Sequence, residues 1–306
     1  MNLSEVSYLL HKMDYKIELI RDAEFSIIGS EKKTSFNSLR YLIGFKYIDS
    51  QILKSAALII NEDIYKDKLF PEYSGGIILC KDAKECFFAL HNYLYENTEY
   101  FGKRFLSKID KSVKIGKNSV VSEENVIISK GVIIGDNVVI RSNVEIEDYT
   151  NIWSGTILGA ETVKIATIKG RKIIVPHAGK LKIGKNVIIM NNSVISNGIT
   201  PWYNTIISDK VVIGGSVVIG HGNSIGKETI IIDNSTIGGH CSIGENVWIG
   251  PQSVIKNRIK IGDNTHIALG SVVIEDIPDN TQVSGFFAIE RLMSLKHYRD
   301  FKIGKI

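Results

Sequence analysis

The stretch Ile207-Ser-Asp-Lys-Val-Val-Ile213-Gly-Gly-Ser-Val-Val-Ile219-Gly-His-Gly-Asn-Ser-Ile225-Gly-Lys-Glu-Thr-Ile-Ile231 decides the fold. Every sixth residue is isoleucine, and the column continues through Ile237, Ile243, Ile249, Ile255, Ile261 and Ile267 to Val273. A helix repeats every 3.6 residues and a strand every two, so a strict period of six belongs to neither. It fits hexapeptide coils, in which each hexad is a short strand plus a corner. The aliphatic then points inward. Small or β-branched residues such as Val211, Val217, Thr229, Ser235, Cys241, Val247 and Ser253 fill the corners. The glycine that follows many of the aliphatics is expected to relieve the turn backbone.

Outward from this block the same period runs back to Ile109. It passes through Ile115 and Val121, slips by one residue, and resumes at Ile128, Ile134, Ile140, Ile146, Ile152 and Leu158. Two stretches interrupt it. Residues 159–181 carry Pro176-His177-Ala-Gly179, and residues 196–206 carry Pro201, Trp202 and Tyr203. Both read as loops leaving the solenoid, where function tends to sit on a repeat scaffold. Residues 109–285 are therefore expected to form a β-helix.

Residues 1–108 lack the period. Their β-type segments and the helical spacing of Ala83, Cys86, Phe87, Leu90 and Leu94 predict a small α/β domain. Ser4 is the expected cap of a first helix through Leu9 and Leu10. Residues 286–306 read as a short amphipathic helix and tail that close the open end of the solenoid. The fold class is thus mainly β, with a small N-terminal α/β domain and a short C-terminal helix.

Composition narrows the function. The net charge of +4 is spread over both signs without a basic block, which points away from nucleic acid. No apolar run approaches the roughly 18 residues of a membrane span. The N-terminus lacks the basic and apolar regions of a signal peptide. Three cysteines, Cys80, Cys86 and Cys241, show no metal spacing, so a reduced cytoplasm is the expected compartment and no metal is expected.

Among the histidines, His221 falls two residues after a coil aliphatic and therefore projects at a corner. Gly239 falls three hexads later, one coil above it. A neutral corner histidine can take a proton near pH 7, and a backbone N–H beside it can hold an oxyanion. His240, on the next coil, is the rival base. His177 is expected to structure its loop, with a possible sugar contact. His11, His91, His266 and His297 read as surface or packing residues.

The whole chain resembles the UDP-3-O-acylglucosamine N-acyltransferases of lipid A synthesis and their relatives in surface-polysaccharide clusters. Tyr41-Leu-Ile-Gly-Phe-Lys-Tyr47 is similar to that family's Phe-Leu-x-Asn-Pro-Lys-Tyr segment. The resemblance implies uridine contacts by Tyr41 and Tyr47, against the alternative that both only pack the domain. Val175-Pro-His-Ala-Gly179 followed by Ile183-Gly184 matches the family's entry into its main solenoid. Ile219-Gly-His221-Gly then matches its Ile-Ala-His-Asn, whose histidine is the general base. By the same register Gly239 supplies the oxyanion N–H. The left hand of the β-helix, against the usual right-handed crossover rule, is likewise an implication of the resemblance.

The chain departs from the family at four places. Ala160-Glu-Thr-Val-Lys164 replaces a Ser-Asp-Gly-Phe-Gly segment, Gly214 stands where an acidic residue precedes the base, Arg258 replaces a second histidine, and the C-terminal extension is short. Arg258, with Lys256 and Lys260, suits the phosphates of coenzyme A. The residues from Val247-Trp-Ile-Gly-Pro to Gly270-Ser-Val-Val also resemble acetyl-CoA-dependent transferases acting on amino sugars. The expected activity is N-acyl transfer, chiefly N-acetyl transfer, from acetyl-CoA to the amine of a UDP-linked amino sugar. Acyl-carrier protein as donor in lipid A synthesis, and a non-catalytic β-helix, are the alternatives. The resemblance implies a homotrimer with sites between subunits.

Overall fold

The computed structural model describes residues 1–29, 37–44, 47, 52–65, 73–285, 296 and 299–300. The expected C-terminal helix over 287–301 lies almost wholly outside the described residues.

The chain opens with helix α1 (Leu3–Lys12). Its cap is Asn2, whose side chain accepts from the Glu5 N–H at 2.8 Å while Glu5 reaches back to the Asn2 N–H at 2.9 Å. Ser4 lies inside the first turn and instead hydrogen-bonds Asp22. The expected Ser4 cap is therefore wrong by two residues, because the reciprocal Asn/Glu capping box satisfies two orphan donors together. Strands β1 (Ile17–Arg21), β2 (Ile27–Ile28), β3 (Ser38–Leu42), β4 (Ala57–Asn61) and β5 (Gly76–Cys80) form one sheet in the order β1-β5-β4-β3-β2. Only β1 runs antiparallel to its neighbour. A short helix α2 (Glu62–Tyr65) follows β4, and helix α3 (Ala83–Asn97) follows β5, capped by Asp82 accepting from the Glu85 N–H. One face of the sheet packs on α1 and α3 through Leu3, Leu10, Leu39, Ile59, Phe87 and Leu90.

From residue 108 the chain winds as a left-handed parallel β-helix, the fold expected. Three parallel sheets of nine, eight and eight short strands make the walls of a prism. Register is coil on coil: Ile213 pairs with Ile231, and Ile231 with Ile249. The aliphatic column is buried as one continuous core from Val126 to Ile277. Burying each such side chain stabilises by about 1.5–3 kcal/mol before entropy is charged. The one-residue slip after Val121 is absorbed where Asn125 adopts φ +61° and Leu106 bridges Glu124.

The glycines after the aliphatics do a different job from the one expected. Apart from Gly159 at φ +80°, they do not have positive φ. The left-handed position comes two residues later, and asparagine fills it at Asn186, Asn192, Asn234, Asn246 and Asn264. Asparagine tolerates that region best among residues with a Cβ. The glycine is required by the next coil. A Cβ on Gly250 would sit 2.7 Å from the Leu269 backbone nitrogen.

The prism walls differ outside. One presents Val120, Val139, Ile157, Val194, Val218, Thr236, Val254 and Val272, stacked in register. Another presents Lys108, Ile127, Glu145, Lys182, Ile206, Ser224, Ser242 and Lys260.

The stretch 159–181 is more than a loop. Ile165–Ile168 and Arg171–Ile174 pair as an antiparallel hairpin. Its strands, Ile-Ala-Thr-Ile and Arg-Lys-Ile-Ile, are short and show no apolar–polar alternation that would mark them in the sequence. Ala166 and Val175 from this excursion, with Ile199 from the second, join the buried core of the α/β domain. The Trp202 indole N–H donates to the Ile28 carbonyl at 2.6 Å, and the Lys169 N–H to Glu85 at 2.8 Å. Both excursions thus fasten the N-terminal domain to the solenoid.

Candidate active site

Between those two excursions three histidines meet. The rings of His221 and His240 are 4.8 Å apart and nearly perpendicular, and those of His177 and His221 are 5.7 Å apart. His240 in turn lies edge-on to Tyr203 at 5.5 Å. The first two are brought together by the coil repeat: the His240 N–H donates to the His221 carbonyl at 2.8 Å, coil to coil. His177 arrives from the first excursion. It is buried, and its Nδ1 lies 3.1 Å from the Asn197 carbonyl. A carbonyl only accepts, so Nδ1 of His177 carries the proton.

His221 is held from both sides. Its Nδ1 lies 2.7 Å from the Thr162 hydroxyl. Its Nε2 faces the backbone of Gly239, where a Cβ would stand 2.8 Å away. Gly239 therefore sits directly above the imidazole, and any side chain there would displace it. Among the described residues the Gly239 N–H has no hydrogen-bond acceptor, although its carbonyl accepts from the Arg258 N–H at 2.9 Å.

Burial pushes the pKa of His221 down to about 3, and His240, His177, Lys164 and Arg258 nearby push the same way. Burial also lowers His177, opposed by the Asn197 backbone. On α3, His91 is pushed down to about 4, again mainly by burial. It packs on the Phe101 ring at 4.9 Å. A small closed cavity lined by Phe87, Phe88, His91, Lys164, Thr200 and His240 joins the α/β core to the histidine cluster.

The corner that presents His221 is shaped by Asn223. This residue is fully buried, donates to the Gly220 carbonyl at 2.7 Å, and accepts from the Cys241 N–H at 2.7 Å. Neither Thr162 nor Asn223 was singled out in the sequence. Asn223 had a visible signal, since from Val211 to Ser271 it is the one amide in a column of valine, isoleucine, threonine, serine and cysteine. Thr162 had none, because its contact spans 59 positions across an excursion.

The remaining expected site residues lie around this centre. Arg258 occupies the left-handed position one coil above His240, with φ +68°, and Lys256, Arg258 and Lys260 are all exposed. Tyr41, in β3, is half-buried and packs on Phe87 and Phe88 with centroids at 5.0 and 5.9 Å. Tyr47 is exposed and lies against Gly44. His266 is exposed and stacks on Trp248, His11 is exposed, and His297 lies outside the described residues. Among the described residues no group of histidines, cysteines and carboxylates is arranged to hold a metal ion, and no helix is long and apolar enough to cross a membrane.

The bacterial transferase hexapeptide model, of six repeats, matches residues 125–160 and 240–275. The chain carries hexapeptide repeats of this transferase type in those two stretches. The second matched stretch contains His240 and Arg258 and begins one residue after Gly239. Solved structures similar to the hexapeptide-repeat chain include the UDP-N-acetylglucosamine acyltransferase from Campylobacter jejuni. It is 23% identical, covering 64% of this chain and 81% of that one, with a TM-score of 0.41. The UDP-N-acetylglucosamine O-acyltransferase from Moraxella catarrhalis is 22% identical over 63% and 81%, with a TM-score of 0.40. A UDP-N-acetylglucosamine acyltransferase from Bacteroides fragilis is 22% identical over 63% and 76%, also at 0.40. No curated protein sequence gives a significant match.

Proposed function

We propose that the protein is an acyltransferase that moves an acyl group, chiefly acetyl, from a thioester to the amine of a nucleotide-linked amino sugar. The observation that carries this reading is the pairing of His221 with Gly239. A neutral imidazole faces the backbone of Gly239, whose N–H is not otherwise engaged among the described residues. The amine nitrogen attacks the thioester carbonyl and gives its proton to His221 Nε2. The oxyanion that forms accepts from the Gly239 N–H. The C–S bond then breaks, and the departing thiolate takes the proton back from His221. The depressed pKa of His221 keeps the resting imidazole neutral at pH 7, and the proton it takes comes from the amine as that nitrogen becomes cationic in the attack.

Arg258 lies within electrostatic reach of His221, and Lys256 and Lys260 flank it. Three exposed cations at that corner suit the phosphates of coenzyme A, which favours acetyl-CoA over an acyl-carrier protein. Tyr47 offers the exposed ring for a uracil base, while Tyr41 backs it from the domain core. His177 and His240 border the acceptor side.

The deciding experiment is mass spectrometry of products from candidate UDP-amino sugars, supplied with acetyl-CoA or with hydroxyacyl-carrier protein. Acetylated amino sugar supports the proposal. Long-chain transfer without acetyl transfer would assign the protein to lipid A synthesis. No transfer from either donor would favour a non-catalytic β-helix.

A further inference from the structure

His221 needs its ring turned one way for the chemistry proposed above. Neutral imidazole has one N–H and one lone pair, and the hydrogen bond at one nitrogen decides which is which. At Nδ1 the only partner among the described residues is Thr162 Oγ1, at 2.7 Å; no carboxylate and no backbone carbonyl bonds that nitrogen. Thr162 sits at the root of the excursion hairpin. Its own carbonyl accepts from the Lys164 N–H at 2.8 Å, and the Val175 N–H closes the hairpin base on the Lys164 carbonyl at 2.8 Å. From there the hairpin runs into the α/β core through Ala166 and onto Glu85 through the Lys169 N–H. The threonine thus lies between the solenoid strand that ends at Ala160, two residues earlier, and the hairpin that reaches the α/β domain.

Resting on the acyl-transfer reading of His221, we infer that Thr162 is the positioning residue of this site. Its hydroxyl accepts the Nδ1 proton, so that Nε2 keeps its lone pair towards Gly239. A β-branched side chain has few χ1 choices, so the hydroxyl is held in place at little entropic cost. The choice of a neutral group has a chemical reason. Lys164, Arg258, His177 and His240 all surround His221 and oppose a charge on it. A carboxylate at position 162 would stabilise the imidazolium and make the resting base protonated at higher pH. A hydroxyl orients the ring without doing so.

Three variants and one spectroscopic readout test this. T162V removes the hydroxyl at nearly constant shape and should lower kcat about 10- to 100-fold with KM little changed, whereas T162S should recover most of it. T162D should bring an acid limb into the kcat/KM profile at about pH 5 to 7, a limb the parent protein lacks because its histidine protonates lower. Imidazole 15N shifts of His221 in the intact protein report the tautomer without any substrate. The expected result is a protonated Nδ1 in the parent and in T162S, with mixed tautomers in T162V. A parent protonated at Nε2, or a T162V protein with parental kcat, would overturn the inference. If no donor and acceptor pair turns over at all, the acyl-transfer reading fails, and the 15N shifts still decide whether Thr162 orients His221.

Discussion

At the scale of single residues the histidines carry both function and cost. Replacing His221 by alanine should lower turnover by about 10²-fold or more with substrate binding little altered, because a general base acts in the transition state. His240→Ala should cost less, since its ring borders His221 but lies against Tyr203 and over Gly222. Steady-state kinetics of the two variants checks the ranking, and a reversed order would move the base to His240. The same burial has a price in acid. His91 and His221 keep pKa values of about 4 and about 3 in the fold, against an ordinary value near 6.5. Below pH 6.5 the unfolded chain binds protons that the folded chain refuses. The stability tied to these groups is therefore complete above pH 6.5 and is lost as pH falls through the window down to about 4 and 3. Each group contributes a slope of about 1.4 kcal/mol per pH unit inside its window. Urea midpoints between pH 7 and 4.5 should show this slope, and His91→Phe should remove one proton's share of it. An unaltered slope would mean that His91 is charged in the fold. At this scale the sequence was legible for His221, His240 and Gly239, because coil register stacks residues three hexads apart. It was silent on Thr162, whose position depends on how an excursion folds back.

Among the elements, the repeat was readable to the residue and the excursions were not. A column such as Ile213, Ile231 and Ile249 announces its own pairing, since each aliphatic repeats the environment of the one beneath it. The hairpin over Ile165–Ile168 and Arg171–Ile174 has no such internal copy, and its partners lie on α3 and in the α/β core. The pairing of β3 with β4, which carries Tyr41, was missed for the same reason. The second excursion is the more revealing fastener. Trp202 donates its indole proton to the Ile28 carbonyl at 2.6 Å, while Asn197 on the same excursion holds His177. Trp202→Phe keeps the ring and loses that hydrogen bond, so it should cost about 1 kcal/mol or slightly more. Hydrogen exchange should quicken in residues 196–206 and in β2 together. Faster exchange confined to β2 would show that the indole bond does not couple the two elements.

For the whole molecule, the wall from Val120 to Val272 is the face expected to govern association. Eight stacked outward positions on it are aliphatic or threonine and none is charged, whereas another wall carries three lysines, a glutamate and two serines beside two isoleucines. Contiguous apolar faces of this kind mark protein interfaces. The expected assembly is a homotrimer that covers this wall. Sedimentation of the parent should give a trimer, and Val218→Arg combined with Val254→Arg should give a folded monomer. A monomeric parent at micromolar concentration would leave the wall without a partner. The same coil-on-coil bonding that stacks Ile231 on Ile249 also makes the solenoid a graduated tether. Each turn is joined to the next by a few backbone bonds, all lying along the prism axis. A load applied along that axis meets one turn at a time, so the chain should pay out in equal increments. A released turn of about 18 residues lengthens from about 4.8 Å to about 60 Å, which sets an increment of about 55 Å. Where an excursion interrupts the winding, the increment should be longer. A force–extension trace would thus record the spacing of the isoleucines as a ruler of lengths.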